Sequence, residues 1–157
     1  MRNGECGMRN SVFPEQVCLI HAIHKSMIGQ SLRVGLRTVS EYDDLNLDMR
    51  CGVVYCWLRK EDDKMSGGGQ RADFVYLEVT VERERCVVAD MEWSSLALMY
   101  KQGQGRPQNM EASRFLAELY RVTAMPLSEY VEGAFWTPEV LVKGDIPPES
   151  VRLAESE

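Results

Sequence analysis

An α+β fold, with helices flanking a mixed or antiparallel sheet, is what this 157-residue sequence predicts, and three observations carry it. Strand-like and helix-like segments follow one another without regular alternation, which disfavours a doubly wound parallel sheet. Residues 74–81 alternate with a period of two: Phe74, Tyr76 and Glu78 fall on one side, and Val75, Leu77, Val79 and Val81 on the other. That is the pattern of a strand with one buried face. No Gly-x-Gly-x-x-Gly follows any strand-like run, which argues against a Rossmann dinucleotide site.

Taken in order, residues 1–14 are polar and glycine-containing and read as a flexible N-terminal arm ending at Pro14. Residues 15–157 then form one domain, with no internal repeat and no linker to divide it. The run Val17-Cys18-Leu19-Ile20 opens a first strand over 17–23. A helix over 26–34 follows, with Ile28, Leu32 and Leu36 at spacings of four and Gly35 placed to end it. Residues 37–50 form a polar connection with Glu41, Asp43, Asp44 and Asp48. The segment 51–58 (Cys51-Gly52-Val53-Val54-Tyr55-Cys56-Trp57-Leu58) is β-branched and aromatic, as a central strand should be. Residues 61–71 set Gly67, Gly68 and Gly69 among charged side chains and are expected as a mobile surface loop. They are not a phosphate cradle, because no Gly-Lys-Ser/Thr ending and no helix follow.

The strand over 74–81 returns over 86–89 after a charged turn. Asp90 or Ser94 can cap a helix through Leu96, Leu98, Met99 and Tyr100, which Gly103, Gly105 and Pro107 break. An amphipathic helix over 110–122 offers Phe115, Leu116, Leu119 and Tyr120 as its apolar face. A late strand over 136–142 stops before Pro147-Pro148. Glu139 stands at its mouth, where an ionised side chain is expected to point at a cleft edge or at solvent.

Composition narrows the partners. A net charge of −6 and a pI near 5.1 disfavour wrapping a nucleic-acid duplex. Local basic clusters (Arg33 with Arg37, Arg59 with Lys60, Arg83 with Arg85) are compatible with a cleft for one nucleotide. Cys6, Cys18, Cys51, Cys56 and Cys86 are odd in number and include no Cys-x-x-Cys, so reduced thiols are expected rather than a disulfide framework or a metal site. No apolar run reaches the roughly 18 residues of a membrane span, and the first ten residues lack a signal-peptide core; a cytoplasmic protein is expected. A serine hydrolase is set aside because no Gly-x-Ser-x-Gly occurs, and a thiol protease because the cysteines lie in apolar runs.

Two short stretches carry a family resemblance. Leu19-Ile20-His21-Ala22-Ile23-His24 runs into Ile28-Gly29-Gln30-Ser31-Leu32-Arg33-Val34-Gly35-Leu36, and Phe135-Trp136-Thr137-Pro138-Glu139-Val140-Leu141-Val142 forms the late strand. Together they resemble the DarT-type DNA ADP-ribosyltransferase toxins, in which a His-x-Thr-His strand enters a helix ending in Gly-Leu and a Glu opens a late Glu-x-Leu-Val strand. His21 and His24 fall on the family's histidines. Tyr55-Cys56-Trp57-Leu58-Arg59 looks like its second strand. Ile23 stands where the family has Thr, and Met27 where it usually has Asn; each removes a hydrogen-bonding side chain.

The resemblance implies an ADP-ribosyltransferase-like domain using NAD as substrate, with a nucleic-acid base as macromolecular acceptor, while the charge of −6 and the short chain leave a protein acceptor open. It also implies a toxin, defence or counter-defence setting, in which a neutralising antitoxin or a target protein is a further partner. Glu139 matches the catalytic glutamate. Transfer breaks the ribose C1′–nicotinamide bond through an oxocarbenium-like transition state, which a nearby anion stabilises. His21 and His24 are the implied cofactor-orienting histidines, Tyr55 lines the second strand, and Arg37, Arg50 and Arg59 compete for the pyrophosphate. The same residues read otherwise as a satisfied core histidine (His21), a helix-start cap (His24) and a strand-end charge (Glu139). The alternatives are a catalytically inactive binding or inhibitor protein of the same fold, which Ile23 and Met27 favour, and an NAD glycohydrolase.

Overall fold

The structure, a computed structural model, describes residues 13–38, 45, 47–64, 72–103 and 106–155. The arm over 1–12 and the glycine-rich stretch over 65–71 lie outside the described residues. The chain runs β1 (Gln16–His24), α1 (Ile28–Val34), β2 (Val53–Trp57), β3 (Phe74–Glu82), β4 (Cys86–Asp90), α2 (Met91–Gln102), α3 (Pro107–Thr123), β5 (Met125–Pro126), β6 (Pro138–Lys143) and β7 (Val151–Leu153). The described strands form one antiparallel sheet in the order β5-β4-β6-β2-β1-β3-β7. The fold is α+β, in a single domain.

Strand alternation gives the sheet two unlike faces. Leu19, Ile23, Val54, Cys56, Leu77, Val79, Val81, Val88, Val140 and Val142 all bury on one face with Leu36, Leu127 and Ile146, and this is the core. Phe13, ahead of β1, packs against it. The other face carries Tyr55, Trp57, Ala89, Glu139 and Leu141. These share rows through the pairs Tyr55↔Leu141, Trp57↔Glu139 and Ala89↔Glu139. Tyr120 of α3 reaches this second face at Glu139.

The sheet is two ladders joined at a seam. β1 pairs with β3 from Gln16↔Glu82 to His24↔Phe74, and β2 pairs with β6 from Val53↔Lys143 to Trp57↔Glu139. Between β1 and β2, the pair among the described residues is Ile20↔Trp57. The strands fork beyond it.

Helix α1 ends at Gly35, where φ is +80° and a Cβ would sit 2.0 Å from the Ile146 carbonyl oxygen. That close approach lets Leu36 and Ile146 exchange backbone hydrogen bonds, each 2.9 Å, and so ties the end of α1 to the chain leaving β6.

Three local expectations change. Pro107 opens α3 at its first turn instead of only ending α2, because a missing N–H costs nothing there. The buried residues of α3 are Ser113, Ala117 and Tyr120, while Phe115 is 64% exposed. The reason is close packing of α2 on α3: the Ser113 hydroxyl donates to the Ala97 carbonyl at 2.7 Å, a distance only small side chains permit. The start of the expected mobile loop is fixed, since Lys60–Asp62 is a 3₁₀ turn with buried Asp62 and Asp63, and the Tyr76 hydroxyl donates to Asp63 at 3.0 Å. β5 and β7 are too short to leave a period in the sequence. Asp90, rather than Ser94, caps α2, accepting from the Glu92 N–H. Among the described residues no helix is long and apolar enough to cross a membrane.

Candidate functional site

Glu139 is not at a solvent edge. It is the second residue of β6 and only 3% exposed, flanked in the sheet by Trp57 and Ala89. A buried carboxylate needs a cation and donors, and two other elements supply them. Arg50 ends the 3₁₀ turn Asp48–Arg50 before β2, and its Nη1 lies 2.7 Å from Glu139 Oε1. The Tyr120 hydroxyl lies 2.5 Å from the same oxygen. Arg50 Nη1 also donates to the Tyr120 hydroxyl at 3.0 Å. The guanidinium carbon sits 4.9 Å from the centre of the Tyr55 ring and 5.2 Å from that of Tyr120, so aromatic faces flank the cation. The Tyr55 hydroxyl donates to the Arg50 carbonyl at 2.9 Å, holding the turn against β2. Burial, followed by the negative charge of Glu139, pushes the Tyr120 phenol well above its ordinary range.

The segment leading into β6 is held by Asp90, itself 2% exposed. One carboxylate oxygen accepts from the N–H groups of Glu92 and Thr137, and the other from Trp136, each at 3.1 Å. The Met91 N–H donates to the Thr137 carbonyl at 2.8 Å. One aspartate therefore both starts α2 and fixes the chain two residues before Glu139. Trp136 is 81% exposed on this pinned segment.

His21, His24 and Arg37 line a separate cleft of about 400 Å³ together with Met27, Ser31 and Phe74. His21 Nδ1 is 2.6 Å from the Tyr55 carbonyl oxygen, which makes Nδ1 the donor and leaves Nε2 without the proton in the neutral ring. Burial lowers the basicity of His21, partly offset by that bond. His24 takes the capping alternative: its Nδ1 accepts from the Ser26 N–H at 3.2 Å, and its ring meets Phe74 edge-on. Arg37 pairs with Asp145 at 2.9 Å in an exposed position.

The predicted residues therefore separate into groups. Glu139, Arg50 and Tyr55 come together. His21, His24 and Arg37 come together elsewhere, because alternation puts His21 on the core face with its ladder partner Leu77, while Glu139 shares the opposite face with Trp57. Tyr55 touches both groups, through its carbonyl to His21 and its side chain to Arg50. Arg59 joins neither; its side chain is largely exposed, 3.8 Å from Asp62. Tyr120 escaped the sequence reading of the site because its position on α3 suited an apolar face. Its signal is that of any buried tyrosine, a hydroxyl that has to find a partner.

Among the described residues no group of His, Cys, Asp and Glu is placed to hold a metal. Cys18, Cys56 and Cys86 are free thiols. Burial pushes the Cys86 thiol up to about 12 and that of Cys56 higher still, which makes both poor nucleophiles. Compared with protein-family models, curated proteins and solved structures, the chain matches none.

Proposed function

We propose that this chain is an NAD-dependent ADP-ribosyltransferase of the toxin, defence or counter-defence type, acting on a macromolecular acceptor, with Glu139 as its catalytic carboxylate. The observation that carries the reading is the buried network of Glu139, Arg50 and Tyr120. The glutamate singled out by its place at the head of an apolar strand is a fixed anion in dry surroundings. An anion preorganised in a site of low dielectric is what a developing oxocarbenium ion needs. In the reaction the bond from ribose C1′ to the nicotinamide nitrogen breaks and its electron pair leaves with neutral nicotinamide. The acceptor nucleophile bonds to C1′ and releases its proton. Arg50, whose side chain is 13% exposed, is the arginine best placed to exchange the carboxylate for the NAD pyrophosphate. That exchange would uncover Glu139 for the ribose. A dinucleotide using His21 as well would straddle the fork between β1 and β2.

A second reading has its own support. Glu139 is closed over by Arg50 and Tyr120, His21 lies on the other face, and apolar Met27 lines the histidine cleft. A binding or inhibitor protein without catalysis would have these features. Melting the protein with and without NAD, alongside an assay of nicotinamide release with DNA, RNA and protein acceptors, separates the readings. A transferase is stabilised by NAD, by about 2.7 kcal/mol at a hundred times the dissociation constant, and releases nicotinamide faster with its acceptor. Release that no acceptor accelerates identifies a glycohydrolase. A melting curve indifferent to NAD, with no release, overturns the transferase reading in favour of the binding protein.

A further inference from the structure

The direction of the hydrogen bonds in the buried network follows from valence alone. Arg50 Nη1 can only donate, and it lies 3.0 Å from the Tyr120 hydroxyl oxygen. The hydroxyl therefore accepts from Arg50, and its single proton is left for Glu139 Oε1, 2.5 Å away. Oε1 takes a second donor from Arg50 at 2.7 Å. Two donors converging on one carboxylate oxygen leave no room for a proton there, so the arrangement suits the anion. Arg50 from the turn before β2 and Tyr120 from α3 both meet Glu139, with Tyr55 of β2 one step behind Arg50. Tyr120 is fully buried, and its ring is also one of the two that flank the guanidinium.

We propose that Tyr120 is a positioning residue for Glu139: its hydroxyl fixes the orientation of the carboxylate and keeps it anionic. This deepens the transferase reading and rests on it for its catalytic consequence, while the effect on the carboxylate itself can be read without turnover. The ring contributes packing and the hydroxyl contributes the hold, and Tyr120→Phe removes the second while keeping the first.

The experiment follows the side-chain carboxyl of Glu139 by ¹³C NMR through a pH titration, its resonance assigned by loss in Glu139→Gln, in the full chain and in Tyr120→Phe. Nicotinamide release is measured on the same samples. The Glu139 midpoint moves to higher pH in Tyr120→Phe, because a donor to the ionised form is lost. The turnover number falls by about ten- to a hundredfold, as expected for one hydrogen bond to a charged group, while the KM for NAD stays unchanged. An unchanged midpoint overturns the proposal whatever the turnover does. A shifted midpoint in a wild-type protein that releases no nicotinamide upholds the hold on Glu139 and refutes the transferase reading. If Tyr120→Phe does not fold, 3-fluorotyrosine placed at position 120 supplies a stronger donor in the same ring. The midpoint then moves to lower pH, and an unmoved midpoint overturns the proposal.

Discussion

His21 links a single proton to the stability of the fold. Its ring is largely buried and donates to the Tyr55 carbonyl, and burial lowers its proton affinity from the ordinary value of 6.5. The unfolded chain therefore takes up this proton at a higher pH than the folded chain does. The sign follows: the contribution of His21 is fully present above pH 6.5 and is lost as pH falls from there through the folded value. Urea midpoints measured across about pH 5 to 8 should fall on the acid side in wild type and fall less steeply in His21→Gln. Equal acid slopes in the two proteins would show that the imidazole is already free to charge in the folded state. Glu139 is the opposite case, a buried group that is charged and paired. Replacing it by glutamine keeps an oxygen that can accept from Arg50 and Tyr120, so the fold should survive the change while the charge does not.

At the scale of elements, a tight constraint lies where α1 meets the segment leaving β6. Gly35 adopts φ +80° and ψ −163° with the Ile146 carbonyl oxygen 2.0 Å from where a Cβ would lie. Such a backbone conformation costs a side-chain-bearing residue roughly 1–3 kcal/mol before any clash is counted. Gly35→Ala is expected to lose more than that in denaturant unfolding, because the clash is with backbone, and to loosen the cleft of His21, His24 and Arg37. A variant within about 0.5 kcal/mol of wild type would mean that α1 does not dock on Ile146 in this way. The helix pair α2 and α3 shows why its burial was not legible from hydrophobicity. Small residues, Ala97, Ser113 and Ala117, bury because the helices approach closely, and Phe115 is turned outward.

Across the whole molecule, what the sequence made legible was local. The two-residue alternation of β3, the composition of β2 and the cap at Asp90 each depend on a few neighbouring residues. What was not legible depended on register. Arg50 sits in a polar connection 89 residues from Glu139 in sequence, so nothing local marks it as the counter-ion. Likewise, the opposite faces of His21 and Glu139 follow from the pairs His21↔Leu77, Ile20↔Trp57 and Trp57↔Glu139, which no single segment encodes. The candidate site was thus legible as a set of residue types and was divided by the topology. The alternation of β3 held for Leu77, Val79 and Val81, which are buried, while Val75 at its start is only half-buried, like Tyr76 and Glu78 opposite.

The central claim is that the charge of Glu139 drives cleavage of the nicotinamide–ribose bond. Its most direct test is nicotinamide release from NAD by wild type and by Glu139→Gln, both at saturating NAD with the acceptor that accelerates wild type most. Loss of one preorganised electrostatic group costs about 2.7–4 kcal/mol at the transition state, so turnover should fall by about 10²–10³ while NAD binding is retained. A Glu139→Gln protein that binds NAD and turns it over as fast as wild type would contradict the account.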